Sequence, residues 1–167
     1  WALVGRGRSL IEHGRMDLAE QAFATALSQW PDRIEAMTGH AEVALQSGQF
    51  EQSLQRWQAT LERFPADHWA SINLAGTLMA LGRYAEAEAL YRQAIPGHED
   101  DLSTLSGYAD ALAAQGHYQQ AIERAGLVVT GYPNSPVIAQ ATYLKANALD
   151  KLGRDDDAIA AYRDVRS

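Results

Sequence analysis

The stretch HGRMDLAEQAFATALSQWP, residues 13–31, decides the fold, because the rest of the chain keeps rewriting it. Its glycine, Gly14, returns as Gly48, Gly82, Gly116 and Gly153, at intervals of 34 residues three times and then 37. Each of these glycines stands between two apolar patterns of helical spacing, and a proline (Pro31, Pro65, Pro133) closes most units. A period of this size with a helix–turn–helix inside it is the signature of stacked repeats, in which no unit can bury its apolar face alone.

Working outward, residues 1–13 and about 17–29 form the two helices of the first unit. Asp17 and Glu20 lie near the amino end of the second helix, where the helix dipole favours acids, and Leu18, Ala22, Ala26 and Leu27 form its stripe. The units span about 1–33, 34–67, 68–101, 102–135 and 136–167, as one continuous array without a linker. Pro96 interrupts the second helix of unit three. Proline inside a helix costs ~3 kcal/mol, so that helix is predicted to stop at Ile95 and leave PGHEDD (96–101) as an acidic loop. In unit four, Gly126 and the run Val128-Val129-Thr130 weaken the second helix. In unit five, Ser135-Pro136 predicts an early N-cap with proline in the first turn, and a helix running to about Lys151.

With the turn glycines in register, size constraints appear. Seven residues before each glycine stands a small side chain (Gly7, Ala41, Ala75, Ala109, Ala146), and five after it another (Ala19, Ser53, Ala87, Ala121, Ala158). Closely crossing helices need such positions, because side-chain bulk sets their separation. Nine residues after the glycine comes a large group, Phe23, Trp57, Tyr91 or Tyr162, with Ala125 the exception. Two after it come Met16, Phe50, Tyr84 and Tyr118, with Asp155 breaking the row. Burial of each large group is expected to contribute ~1.5–3 kcal/mol.

Bulk properties exclude several functions. The 167 residues carry a net charge of −7, which disfavours the basic stripe of a nucleic-acid binder and attraction to an anionic membrane surface. The chain has no cysteine, so disulfide and thiolate chemistry is out. It has no apolar run of about 18 residues to span a membrane. It starts at Trp1 and reads as a piece of something longer. The histidines, His13, His40, His68, His98 and His117, are never four apart on a helix, so no zinc site is expected. Asp155-Asp156-Asp157 lacks the spacing of a calcium loop and suits a helix start. Gly5-Arg6-Gly7 is not followed by the residues of a phosphate loop. No catalytic motif, cofactor or metal is expected.

The pattern resembles the tetratricopeptide repeat family: Gly48, Phe50, Ser53, Trp57, Thr60 and Pro65 fit its motif, as do Gly116, Tyr118, Ala121 and Pro133. The leading aromatic of that motif is absent, its positions holding Leu3, Met37, Ser71, Leu105 and Thr142, and Glu99 replaces the closing proline of unit three. The resemblance implies an all-α, right-handed superhelical solenoid of about five helix–turn–helix units. Their first helices would line a concave groove that binds a peptide or partner helix, without catalysis. Carried over by register, the groove positions are Trp1, Val4, Arg8 and Ile11; Glu35, Thr38, Glu42 and Leu45; Trp69, Ile72, Asn73, Gly76 and Met79; Ser103, Ser106 and Asp110; and Tyr143 and Asn147.

Where chaperone-binding members place a lysine–asparagine clamp for a terminal carboxylate, this chain has Val4 and Arg8, Gly39, then Trp69 and Asn73, which do not make one. Trp69, Ile72 and Met79 would form an apolar anchor, or serve as half-buried packing, while Glu35, Glu42 and Asp110 favour a partner with basic residues. Two other roles fit the family: the regulatory or substrate-docking part of a glycosyltransferase or sulfotransferase, and a scaffold that self-associates through open array ends. The stretch YPNSPVIAQATYLKANAL (132–149) is similar to bacterial envelope-assembly members, which, between cytoplasm and periplasm, tilts the expected localisation toward the bacterial periplasm.

Overall fold

The computed structural model describes residues 1–98 and 100–164; Glu99, and with it the replaced closing proline of unit three, lies outside the described residues. Among the described residues every regular element is a helix: α1 (Ala2–Glu12), α2 (Met16–Gln29), α3 (Ile34–Gln46), α4 (Phe50–Arg63), α5 (His68–Ala80), α6 (Tyr84–Ala94), α7 (Leu102–Ala114), α8 (Tyr118–Gly131), α9 (Ile138–Lys151) and α10 (Asp155–Asp164). The turn glycines Gly14, Gly48, Gly82, Gly116 and Gly153 all have φ between 68° and 80°, the left-handed region that lets a helix end and the chain reverse. The protein divides into two compact units, Trp1–Gly82 and the part beginning at Arg83. In the first, α1 to α5 pack each on the next; in the second, α6 to α10 do the same.

The size rule is met with little tolerance. Ala41, Ala75, Ala109 and Ala146 are fully buried, as are Ala19, Ser53, Ala87 and Ala121. Phe23, itself fully buried, is wedged between two glycines: a Cβ on Gly7 would fall 2.6 Å from its ring, and one on Gly39 of the following repeat 2.3 Å. Tyr91 uses Gly107 in the same way, at 2.4 Å. Trp57 is fully buried too, and beside it in sequence Ser53 donates its hydroxyl to the Ala41 carbonyl and meets the Thr77 hydroxyl at 3.1 Å, linking α3, α4 and α5. The second row of large residues is less buried than expected. Met16, Phe50 and Tyr118 are half-buried and Tyr84 is exposed, because this register sits at the helix start beside the turn. Their contribution is correspondingly smaller.

The helix ends agree with the sequence at α6, which stops at Ala94 with Ile95 as its cap before Pro96. The acidic loop has a task not foreseen: Asp101 caps α7 by accepting the Ser103 N–H, as Asp67 caps α5 by accepting the Ala70 N–H. The second helix of unit four, α8, is present despite Gly126 and the β-branched run, since Ala121, Ile122, Ala125 and Val128 are buried and packing outweighs propensity. One expectation fails. The helix α9 begins at Ile138 rather than at Ser135-Pro136. The Ser135 hydroxyl instead accepts the Val137 N–H, closing a separate turn ahead of the helix.

One substitution made at two glycines separates these effects. Gly39→Ala should destabilise by about 1–3 kcal/mol, although alanine is the better helix former, because the Phe23 ring has Gly7 behind it and nowhere to retreat. Gly126→Ala meets no atom within 4 Å and should stabilise by roughly 0.5–1 kcal/mol. Ala87→Leu, at a fully buried crossing, should cost about 1–3 kcal/mol. Urea denaturation midpoints of the three variants check all the signs, and equal shifts at the two glycines would disprove the wedge.

Candidate functional site

Within each unit the first helices of successive repeats touch: α1 with α3 and α3 with α5 in one, α7 with α9 in the other. They present one face per unit, and the expected groove residues divide on it by register. Val4, Thr38, Ile72 and Ser106 occupy equivalent positions and are all buried, at 5, 7, 7 and 6 % exposure. Val4 packs in a cluster with Ala19, Phe23, Ala36 and Val43, so in the first unit this register belongs to the core, and Val4, Thr38 and Ile72 are corrected from contact residues to supports beneath the face. In the second unit the register divides, with Ser106 buried and Tyr143 exposed. The register three residues earlier emerges instead. Trp69 is 52 % exposed and Trp1 79 % exposed.

Several of the surface positions are held in place. The Asn73 amide donates to the Trp69 carbonyl at 2.8 Å, and Glu42 accepts from Gln46 at 2.9 Å. Glu35 pairs with Arg33 at 3.2 Å, while the Arg33 guanidinium lies 4.2 Å over the Trp1 ring, so this charge is satisfied within the chain. Leu45 and Met79 are half-buried and Arg8 is exposed. In the second unit Asp110 is half-buried and accepts the Gln140 amide at 2.9 Å. Burial pushes the Asp110 carboxyl above its ordinary range, against the lowering effect of Gln140. Tyr91 is pushed up to about 12, by burial first and by the Asp110 charge second. Tyr143, 56 % exposed, stacks obliquely on Tyr162 at 5.9 Å, and Asn147 is half-buried one turn along α9.

Sequence reading missed Arg33, Tyr162 and Gln140. Gln140 was within reach, since it stands thirteen residues before Gly153, the register of Trp1, Glu35 and Trp69. A charged network where α2, α3 and α4 meet left no such trace. Arg56 grips Glu20 with both terminal nitrogens at 2.9 and 2.6 Å and the His40 carbonyl at 2.7 Å, and the His40 Nε2–H donates to Glu20 at 2.9 Å. Its members lie up to 36 residues apart, and only folding assembles them. Burial, then the Arg56 charge, lowers His40 below the ordinary imidazole range despite Glu20. Burial pushes Glu20 up, but the Arg56 hydrogen bonds and the His40 and Arg56 charges outweigh it and leave the carboxyl low. Among the described residues no three His, Asp or Glu gather as a metal site, and no helix is long and apolar enough to cross a membrane. Asp155, Asp156 and Asp157 form the first turn of α10, with Asp157 bound to Arg154 at 2.9 Å.

Helical hairpins in series, glycine-turned and locked by aromatic wedges, define an all-α helical-repeat protein. The chain belongs to the tetratricopeptide repeat family, a family of protein-interaction modules; the family's sequence model matches residues 38–101 and 108–166. Solved structures agree in fold. A MamA structure from RS-1 aligns at a TM-score of 0.88 with 12 % identity, covering 99 % of this chain and 91 % of that one. TTC0263, a thermophilic tetratricopeptide protein of Thermus thermophilus, aligns at 0.77 with 19 % identity, over 98 % and 88 %. YrrB, described as having an unusual peptide-binding site, aligns at 0.78 with 15 % identity, over 98 % and 82 %. Among curated proteins, the CTR9 homolog of Arabidopsis thaliana is 40 % identical over 62 residues, 37 % of this chain and 6 % of that protein. Cellulose synthase operon protein C of Xanthomonas axonopodis pv. citri is 27 % identical over 73 % of this chain and 9 % of its own length. Human protein O-mannosyl-transferase TMTC1 is 23 % identical over 97 % and 18 %. The chain thus spans less than a fifth of each curated relative it matches.

The network carries a signed pH dependence. His40 holds its proton less tightly when folded, so its share of stability is complete above the ordinary imidazole value of about 6.5 and is lost as pH falls through its lower folded value. Glu20 adds a second loss, below the ordinary glutamate value of about 4.3. In urea titrations at stepped pH, His40→Gln should flatten the first loss and leave the second in place. An unchanged profile between pH 6.5 and 5 would remove His40 from the account.

Proposed function

We propose that the chain works as a non-catalytic interaction module that receives a segment of a partner protein along its first-helix face, in the concave groove expected of the family. The observation that carries this is Trp69, more than half exposed on α5 and braced through its carbonyl by Asn73. The exposed half of this indole adds nothing to the packing, whereas tryptophan is a frequent anchor of binding energy. Leu45 and Met79 supply half-buried apolar surface on the first helices α3 and α5, and Glu42 an acidic group that accepts from the neutral Gln46 amide. The preferred partner segment therefore combines an apolar anchor with basic residues. The peptide-binding site ascribed to YrrB, on the same fold, supports this reading.

A second reading makes the module the docking region of a larger enzyme. Its support is the small share of each relative that the chain spans, together with the name O-mannosyl-transferase carried by one of them. In that case the chemistry belongs to residues outside this chain and the partner segment is a substrate or regulator.

Capture from lysate by the immobilised wild-type chain, against Trp69→Ala, tests the proposal. The wild type should retain a partner that the variant loses at least tenfold, while helicity stays and stability moves by no more than about 0.5 kcal/mol. Identical capture by both would take the role away from this face, and a collapsed melting transition in Trp69→Ala would return Trp69 to the packing.

A further inference from the structure

Helix α7 of the second unit carries two polar groups that the fold leaves chemically incomplete. Asp110 on α7 is half-buried, and its recorded hydrogen bond is the neutral amide of Gln140 on α9, at 2.9 Å. A carboxylate offers about four acceptor positions, and among the described residues no arginine, lysine or histidine pairs with this one. One turn earlier on the same helical face, Ser106 is 6 % exposed and its hydroxyl has no hydrogen-bond partner among the described residues. The Tyr91 phenol borders the same turn, since a Cβ on Gly107 would lie 2.6 Å from its oxygen. A half-buried charge without a counter-ion and a buried hydroxyl without a partner each cost stability, which an incoming donor would recover.

Building on the proposed groove reading, we infer that Asp110, Ser106 and Gln140 form a specificity pocket for an arginine side chain of the partner segment. The chemistry selects arginine over lysine. A planar guanidinium presents several N–H donors in a fixed fork, enough to pair with the free Asp110 oxygen edge and to offer one donor toward the Ser106 oxygen. An ammonium is a compact, strongly hydrated charge that gains less from a half-buried site. The Gln140 amide keeps the carboxylate oriented and is the exposed group that moves when the pocket fills. Burial holds the Asp110 carboxyl above its ordinary range, an effect that an incoming cation reverses.

The test is a titration of the isotopically labelled full chain, followed by NMR, with acetyl-Gly-Arg-Gly-amide. The lysine peptide and the citrulline peptide, equal in shape to arginine but uncharged, serve as comparisons. Saturable shifts are expected at the Gln140 side-chain amide and the Ser106 backbone amide with the arginine peptide. Binding should be at least tenfold weaker with citrulline and about threefold or more weaker with lysine. Asp110→Asn, which keeps shape and hydrogen bonding to Gln140, should reduce arginine affinity at least tenfold with the melting temperature unchanged or raised, since a half-buried charge is removed. Should that variant fold poorly, Ser106→Ala provides the second measurement, with an expected loss of two- to fivefold. Equal binding of arginine and citrulline, equal binding of arginine and lysine, or affinity indifferent to Asp110→Asn overturns the assignment. Trp69 lies in the other unit. A partner captured through Trp69 while this titration stays silent therefore overturns the arginine pocket alone and leaves the groove reading standing.

Discussion

Everything in this molecule depends on how closely an aromatic ring can be brought to the backbone of a neighbouring helix. Phe23 sits where two glycines, one from its own repeat and one from the next, remove the Cβ atoms that would hold the helices apart. The ring then touches main chain on both sides and is fully buried, although no single repeat encloses it. Dispersion contacts of this density are individually weak, but they demand fixed distances, and fixed distances are what turn a series of hairpins into a stack. The Tyr91–Gly107 pair repeats the device in the second unit. The face formed by the first helices is a by-product of that packing: once α1, α3 and α5 are held side by side, their outward registers form a surface.

The same tightness explains why polar groups sit where they do. Close helices leave no room for water, so the polar side chains at the junctions bond locally: Ser53 to the Ala41 carbonyl, Thr77 to the Asn73 carbonyl, Arg56 to Glu20 and the His40 carbonyl. Ser106 and Asp110 stand apart from this habit. Among the described residues the buried Ser106 hydroxyl has no partner, and the half-buried Asp110 carboxylate is met by the neutral Gln140 amide.

The repeat was legible in the sequence because its cause is periodic: turn glycines, small crossing residues and aromatic wedges recur at fixed offsets, and a structure built by translation has to show them. Legibility fell where the cause was not periodic. The length of α8 depends on burial of Ile122 and Val128, which outweighs the local weakness of Gly126. The start of α9 turns on one serine hydroxyl bonding two residues ahead rather than at the helix start itself. The face was legible only as a set of registers. Register alone could not say that Val4, Thr38 and Ile72 face inward while Trp69 faces out, because a few tens of degrees around a helix separate core from surface. Nor could it assemble Glu20, His40 and Arg56, whose meeting is a property of three dimensions.

The wedge also bears on how such a chain can change over evolutionary time. Repeat genes readily gain and lose whole units by misaligned recombination, and a 34-residue period invites it. Here the pieces are not interchangeable. Phe23 requires the glycine that the second repeat supplies at position 39, whereas the equivalent place in the third repeat holds Asn73 and in the fifth Leu144, opposite the one unit whose wedge has shrunk to Ala125. Excising the second repeat would set Phe23 against Asn73, a place now matched to the larger Trp57, and duplicating the fourth would leave a hollow where an aromatic is needed. Size matching between neighbours therefore acts as an address, recording which unit follows which, while the outward registers stay free to vary by point substitution.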